Sequence, residues 1–275
     1  MAEYTVSASM VLYNGFEEAE SCIDSVLEKT VGVPLQLYLI DNASPDGSGA
    51  RLRQRFDQRA TVLCNTRNLG FGKGHNACLP LLNSRYHAVI NPDITLQEDT
   101  LAVLCRYLDE HPDVVKVTPQ LRFPDGRIQQ IAKRTPNVLA LAARQLNIPC
   151  LKKYENYYLM LDRDLSLPQD IQFCSGCFFV IRTEVLQAIG GFDPAYFMDV
   201  EDADITRRAL GHGRVVYLPQ TFVYHSWHRA TRRSLRAFCQ QLRSMLRYFG
   251  KWGFCFGFGK TAGQYTPPAP QRPTE

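Results

Sequence analysis

The sequence contains no run of eighteen apolar residues and so predicts no transmembrane helix. The opening stretch MAEYTVSASMVLYN lacks the basic n-region of a secretory signal and passes directly into a strand-like pattern. Acidic residues are missing from the C-terminal quarter. Ile205 to Thr274 holds 12 basic residues and no acidic one, against 19 basic and 26 acidic from Met1 to Asp204. The formal charge of +4 therefore hides a basic end that suits an anionic partner: membrane lipid, a phosphate-bearing substrate or nucleic acid. A second CxxC is also missing. The nine cysteines are odd in number and irregular in spacing, and without an export signal they are expected as reduced thiols in a cytosolic protein. CSGC (Cys174 to Cys177) accordingly reads as core cysteines of a strand rather than a redox pair or half a zinc site. No internal repeat occurs, and 275 residues at 45% hydrophobic are enough for one large domain with a sizeable core.

What is present is a strand–helix rhythm. TVSASMVLYN is a β-rich apolar run, and FEEAESCIDSVLEKT places Ala19, Cys22, Ile23, Val26 and Leu27 at helical spacing. LQLYLIDNAS is a second strand ending in a polar turn, GARLRQRF a helix, ATVLCNT a short strand, and NLGFGKGHNACLPLL a Gly-rich loop entering a helix. HAVINPD is a strand that stops at Pro92, and TLQEDTLAVLCRYLDEH is a helix with the acidic start that the macrodipole prefers. This spacing predicts an α/β fold with a mostly parallel central sheet flanked by helices. Ligands of such sheets lie beyond the carboxyl ends of the strands, where Asp41, Asn42, Asn91 and Asp93 fall. VVKVTPQLRFPDGRIQQ reads as a strand and a hairpin, and FCSGCFFVIRTEVLQAIGGFD as a strand, a helix and a Gly-Gly stop. GRVVYLPQTFVYHSW gives one or two further strands. Residues 137–172 are irregular and rich in Leu, Tyr and Lys, and are expected as a mobile loop.

Several stretches carry chemistry. INPDI delivers Asn91 and Asp93 into the crevice, where oxygen ligands suit Mg²⁺ or Mn²⁺, although a turn or helix cap uses the same residues. The glycines of NLGFGKGHN (Asn68 to Asn76) permit close backbone approach to a ligand or simply make a turn; with no Gly-Lys-Ser/Thr in the loop, it is not a Walker motif. Asp41 is placed to bond a ribose hydroxyl, or to make an Asx turn. YFMDVEDADITRRA crowds Asp199, Glu201, Asp202 and Asp204 into six positions. If buried, such carboxylates raise one another's pKa and one is poised as a base; if solvated, they complement a helix dipole with Arg207 and Arg208 as partners. His225, at the end of a strand, becomes a metal ligand only if it reaches Asp93.

Read in order, VLYN, LIDNASPDGS, NTRNLGFGKGHN, NPDI, SGCFFVIR, GGFDPAYFMDVEDADITRRA and VVYLPQTFVYH resemble family 2 glycosyltransferases of the GT-A (Rossmann-like) fold, and among them the bacterial rhamnosyltransferase-like members. The resemblance covers Thr5 to His228. It implies transfer of a sugar from a nucleotide-diphosphate donor to an acceptor hydroxyl with inversion at the anomeric carbon. Asp41 then matches the residue holding the nucleoside, with Tyr13, Asn14, Asn68, Gly70, Phe71, Gly72 and Asn76 around the nucleotide. Asn91 and Asp93 lie beside the diphosphate, and Asp93 matches the metal-bridging Asp of a motif that has only one carboxylate here. His225 matches a histidine that serves some relatives as a ligand for Mg²⁺ or Mn²⁺. Asp202 matches the general base and Glu201 the residue that orients it, while His75 stands where relatives often carry Asn. The donor implied by the nearest subgroup is dTDP-L-rhamnose, with a hexose, GlcNAc or galactofuranose donor, or a non-catalytic relative, as alternatives. The acceptor implied is a glycan or a polyprenyl-diphosphate-linked sugar in cell-surface polysaccharide or lipopolysaccharide synthesis, with residues 137–172 on the acceptor side.

This divides the chain into a catalytic domain (1–228), a basic amphipathic helical extension (229–262) and a disordered tail (263–275). In the extension Leu235, Phe238, Leu242, Met245, Leu246 and Phe249 recur at helical spacing among arginines, and Trp252, Phe254, Phe256 and Phe258 follow. Such a helix either lies on an anionic membrane or packs on the domain. With a lipid-linked acceptor the first alternative predicts a cytoplasmic protein peripheral on the inner face of the cytoplasmic membrane, and the acidic, strand-ended site argues against nucleic acid as the partner.

Overall fold

A computed structural model of the chain describes residues 4–146, 148–226, 235–256 and 258. The strands are β1 (Tyr4–Leu12), β2 (Leu35–Asp41), β3 (Thr61–Cys64), β4 (Ser84–Ile90), β5 (Ile94–Leu96), β6 (Val114–Arg122), β7 (Gln169–Asp170), β8 (Phe178–Arg182) and β9 (Arg214–His225). The α-helices are α1 (Phe16–Lys29), α2 (Ser48–Phe56), α3 (Phe71–Asn76), α4 (Thr100–Glu110), α5 (Val138–Leu146), α6 (Lys152–Tyr158), α7 (Thr183–Ala188), α8 (Glu201–Ala209) and α9 (Leu235–Trp252). One sheet runs in the order β3-β2-β1-β4-β8-β6-β9-β5, with β7 pairing to β9.

The first half of this sheet is parallel, as its rhythm predicts, but the sheet as a whole is mixed. β8 runs antiparallel between β4 and β6, and β5 and β7 run antiparallel to β9. β1 shows why a central strand needs two buried faces. Val6, Ala8, Met10 and Leu12 fill one side, while Ser7 and Ser9 on the other are buried without apolar partners. Two histidines satisfy them. Ser7 Oγ meets His87 Nδ1 at 2.7 Å, and Ser9 Oγ bridges His87 Nε2 at 2.8 Å and His75 Nδ1 at 2.7 Å. His75 is thus tied to the core, and burial lowers its imidazole to about 3, so it sits neutral.

Three expectations change. The Thr95 end of the expected α4 is instead β5, whose short pairing with β9 starts directly after Asp93. Residues 137–172 are not an irregular loop but hold α5 and α6, capped by the Asn137 side chain accepting the Ala140 N–H at 2.7 Å. β8 begins only at Phe178, so CSGC lies in the approach to the strand; Cys174 is a core cysteine as expected, and Cys177 packs partly buried against the core.

α9 packs on the domain. Tyr248 and Phe249 bury against Phe173, Tyr196 and Ala203. Asp204, fully buried, accepts from Trp252 Nε1 at 2.8 Å and pairs with Lys251 at 2.8 Å, and the Ser244 hydroxyl donates to the Met198 carbonyl at 2.9 Å. The tail expected as disordered, 263–275, lies outside the described residues. Tyr248 is 2% exposed, so Tyr248→Ala should cost about 3 kcal/mol and loosen α9. Limited trypsin digestion should then cut at Arg243 and Arg247 well before the sheet is degraded; an unchanged cutting rate would contradict this packing.

Candidate active site

The parallel direction of β1, β2, β4, β6 and β9 sends their carboxyl ends to one edge, and the antiparallel β8 begins at that edge, because Phe178 pairs with Ile90. The loops gathered there enclose a cavity of about 420 Å³. Ser175, Gly176 and Cys177 from the approach to β8 form one wall, and the first turn of α8 supplies Glu201 and Asp202. Met245, Tyr248 and Phe249 of α9 contribute to its apolar side, with Leu141 and Tyr158 from the 137–172 segment.

The approach to α8 is strained. Asp199 and Val200 sit at φ 69° and 70°, a left-handed conformation that L residues rarely adopt and that is worst for a β-branched one. Each costs roughly 1–3 kcal/mol and persists only because its surroundings impose it. The reversal aims the first turn of α8 into the cavity. There the N–H of Gly176 donates to Asp202 Oδ2 at 3.2 Å and that of Ala203 to Oδ1 at 2.9 Å. A Cβ at Gly176 would lie 3.2 Å from the Phe71 ring, which would have to give slightly, and in ordinary contact with Asp202 at 3.4 Å.

Glu201 is 6% exposed and its Oε2 has no partner. Burial holds its carboxyl well above the usual carboxylate range, and the charges of Asp202 and Asp199 add to this. Burial also raises Asp202, but Lys133, the two backbone N–H donors and Lys116 pull it back. The environment therefore separates the pair into a protonated Glu201 and a more acidic Asp202, the difference that acid–base chemistry uses. Lys133 itself is lowered to about 8 by burial and by the Arg144 charge.

At the cavity edge, Asn91 lines the space and its backbone N–H donates to the Cys177 carbonyl at 2.8 Å. Asp93, two residues on, is locked to the end of β9 by the Ser226 N–H at 3.0 Å. This brings Asp93 Oδ2 to 3.3 Å from His225 Nε2. The other ring nitrogen, Nδ1, is 2.8 Å from Gln129 Oε1, whose amide in turn donates to the His225 carbonyl. Burial alone would lower the imidazole, but hydrogen bonding with Asp93 and Cys177 outweighs it and raises the group to about 10. Asn91 Oδ1 and Asp93 Oδ1 are both buried without partners. Two orphaned oxygen acceptors beside an imidazole whose far nitrogen is fixed by an amide fit a hard divalent cation. No cluster of three or more His, Cys, Asp or Glu side chains occurs among the described residues, so a cation here would share its remaining positions with substrate oxygens or water.

The Gly-rich segment forms the rim. Gly70, at φ 82°, lies so close to the Phe197 backbone that any side chain would strike its carbonyl, and the Phe71 N–H donates to that oxygen at 3.0 Å. Asn68 Oδ1 accepts from the Gly70 N–H at 2.9 Å, and Gly72 packs on Phe192. Both amide groups of Asn76 are taken by the Phe192 backbone, at 2.7 and 2.8 Å. Asp41 is buried at the end of β2 and accepts from the Ser44 N–H. Tyr13 is exposed after β1, and the Asn14 N–H donates to Ser44 Oγ at 2.8 Å. Of the residues to which the sequence assigned chemistry, Phe71, Asn91, Asp199, Glu201 and Asp202 line the cavity itself. Tyr13, Asn14, Asp41, Asn68, Gly70, Gly72 and Asn76 lie along the ends of β1 and β2 and the 68–76 loop.

A family model described as glycosyl transferase family 2 matches residues 7–190, well over half of the chain. The chain belongs to that family. It is 26% identical over 207 residues to the N-acetylglucosaminyl-diphospho-decaprenol L-rhamnosyltransferase of Mycobacterium tuberculosis, covering 70% of this chain and 66% of that protein. It is 22% identical over 198 residues to the rhamnosyltransferase WbbL of Escherichia coli, covering 66% of this chain and 70% of the relative. Its fold is similar to that of the mannosyltransferase PcManGT of Pyrobaculum calidifontis, solved with GDP-Man and Mn²⁺ (TM-score 0.62, 17% identity, 90% of this chain and 64% of that one). It is similar too to GalNAc-T7, solved with UDP, GalNAc and Mn²⁺ (TM-score 0.66, 15% identity, 90% of this chain and 49% of that one). This is the GT-A fold.

Within this family 2 chain, sequence reasoning missed Lys116, Lys133, Gln129 and the cavity residues of α9. Lys116 had a signal, a lone charge in the apolar strand VVKVTP; Lys133 and Gln129 lie in an irregular segment that offers none. The His225 shift also sets a pH dependence. A folded-state value above the unfolded 6.5 contributes stability that is complete below pH 6.5 and lost as pH rises through about 10. In chelator-treated protein, the stability difference between wild type and His225→Gln should therefore shrink between pH 6.5 and 10 in urea unfolding; a difference that widened with pH would contradict the Asp93 pairing.

Proposed function

We propose that this family 2 glycosyltransferase inverts the anomeric centre of a nucleotide-activated sugar as it passes it to an acceptor hydroxyl, with Asp202 as the base. The observation carrying this reading is the buried Glu201–Asp202 pair, opening into a cavity whose edge holds the Asn91, Asp93 and His225 acceptors. Asp202 takes the proton of the acceptor hydroxyl as that oxygen attacks from the face opposite the leaving diphosphate. The N–H groups of Gly176 and Ala203 fix the carboxylate while it works. Glu201, held protonated by burial, has a free Oε2 with which to orient the acceptor. The nucleoside lies along Tyr13, Asn14 and Asp41 and the loop of Asn68, Gly70, Phe71, Gly72 and Asn76. Asn91, Asp93 and His225 would hold Mg²⁺ or Mn²⁺, which when bound offsets charge growing on the diphosphate.

The relatives named as rhamnosyltransferases support dTDP-L-rhamnose as the donor, and the name of the mycobacterial relative supports a polyprenyl-diphosphate-linked sugar as the acceptor. The shape of the acceptor side agrees with an apolar carrier. Phe249 lines the cavity, Phe254 stacks on it at 5.3 Å, and Phe256 stacks on Phe254 at 6.3 Å, so aromatic rings run from the cavity to the surface. Phe254, Phe256, Leu242 and Leu246 are exposed there beside Arg243 and Arg247, a surface that suits an anionic bilayer on the cytoplasmic side. Among the described residues no helix is long and apolar enough to cross a membrane, so association would be peripheral.

Asp202→Asn should lower transfer by about 10²- to 10⁴-fold while leaving thermal stabilisation by nucleotide and Mn²⁺ intact. Near wild-type turnover would remove the base assignment, and a panel of nucleotide sugars in the same assay identifies the donor. The full chain should co-sediment with phosphatidylglycerol vesicles at low salt and release as salt rises, and Leu242→Asp with Leu246→Asp should weaken it; no binding at low salt would overturn the membrane reading.

A further inference from the structure

Lys116 is the least expected side chain in the core. It lies on β6 with 0% exposure, and burying an ammonium is costly unless it meets a compensating charge. Its Nζ donates to Thr206 Oγ1 at 2.9 Å and stands 3.7 Å from the centre of the Phe179 ring. A hydroxyl and a ring face do not neutralise a buried cation. The Thr206 hydroxyl, however, donates in turn to the Asp202 backbone carbonyl at 2.6 Å, so the lysine is linked to the first turn of α8. We propose that Lys116 is a positioning residue for Asp202, holding the first turn of α8 through Thr206 and supplying positive charge against which that carboxylate stays ionised in the cavity wall.

The division of labour around Asp202 supports this. From its own turn it faces the carboxyl groups of Glu201 and Asp199, both of which disfavour ionisation. The thiols of Cys174 and the phenols of Tyr158 and Tyr248 also face it. Cations come from two directions, Lys133 from the segment after β6 and Lys116 from β6 itself. The Lys133 ammonium is desolvated too, with its Nζ 4.6 Å from the centre of the Phe173 ring, and Arg144 opposes its charge. Lys116 is enclosed, so its field is not screened by solvent, and Arg208 is the cation that opposes it. Both lysines thus act on one carboxylate, and Lys116 is also hydrogen-bonded to α8 itself, through Thr206 one turn on from Asp202.

The inference rests on Asp202 as the base, yet its test does not need turnover. Carboxyl ¹³C NMR of Asp-labelled full-length protein, with the Asp202 signal assigned by its loss in Asp202→Asn, gives the titration midpoint directly. Lys116→Met and Lys116→Gln should each raise that midpoint by about one pH unit or more, because both remove the charge while Gln retains a donor for Thr206. Thr206→Val, which removes the relay but keeps the charge, should move it less. A midpoint unmoved in folded Lys116→Met and Lys116→Gln would overturn the proposal. So would failure of both variants to fold, which would make Lys116 a requirement of the fold instead. Retained turnover in Asp202→Asn would defeat the base assignment alone, and is thereby distinguishable.

Discussion

The acid-rich start of α8 is desolvated, and much of the molecule answers to that constraint. Glu201 and Asp204 are buried, and Asp202 is set deep with an opening only to the cavity. Three carboxyl groups within four positions are stable there only if each finds a different solution. Glu201 keeps its proton. Asp202 is held by two backbone N–H groups and faces two lysines. Asp204 becomes a hub, pairing with Arg208 at 2.8 Å and with Lys251 and Trp252 of α9. The helix dipole favours all three, but the dipole alone would not hold them out of water.

From this follows the link between the first turn of α8 and the C-terminal helix. α9 is drawn onto the domain by Asp204, one turn from Asp202, and in docking there it places Tyr248 and Phe249 in the cavity wall. Arg208 extends the same network backwards, donating to the Ile189 and Gly191 carbonyls that close the helix before the α8 approach. Gly191 lies against Asn76, whose amide fixes Phe192, and Phe192 in turn carries Gly72 of the rim loop. The first turn of α8, the α9 wall of the cavity and the rim loop are therefore parts of one packed unit, which explains why a strained pair at Asp199 and Val200 can persist within it.

Much of this was legible beforehand, and the limits were physical. Parallel β1 to β4 announce themselves because each pairs residues in a repeating apolar pattern, and the residues closing those strands fall where ligands bind. Asp93 and His225 were separately visible, but their 3.3 Å approach depends on β5, three residues too short to carry a periodic signal. The antiparallel insertion of β8 was hidden for a related reason: a five-residue apolar run reads the same in either direction, and so the cysteines before it were misplaced into the strand. The charge cluster around Asp202 was visible and the family resemblance picked Asp202 from it, whereas the cations that tune it come from distant segments, and no local pattern connects residues 116, 133 and 202.

The basic amphipathic helix shows how a correct periodicity leaves the partner undetermined. Its apolar stripe was read as suiting either a membrane or the domain, as though one face had one destination. In the structure the face bearing Tyr248 and Phe249 is buried on the domain, and Leu242 and Leu246 are left on the other side with Arg243 and Arg247. Packing on the domain therefore does not use up the helix's apolar surface, and the two readings are not exclusive. The consequence is mechanical. Because the same helix both walls the cavity and presents this outer surface, deleting it would remove part of the cavity wall together with any membrane contact, and only substitutions confined to its outer face can separate the two.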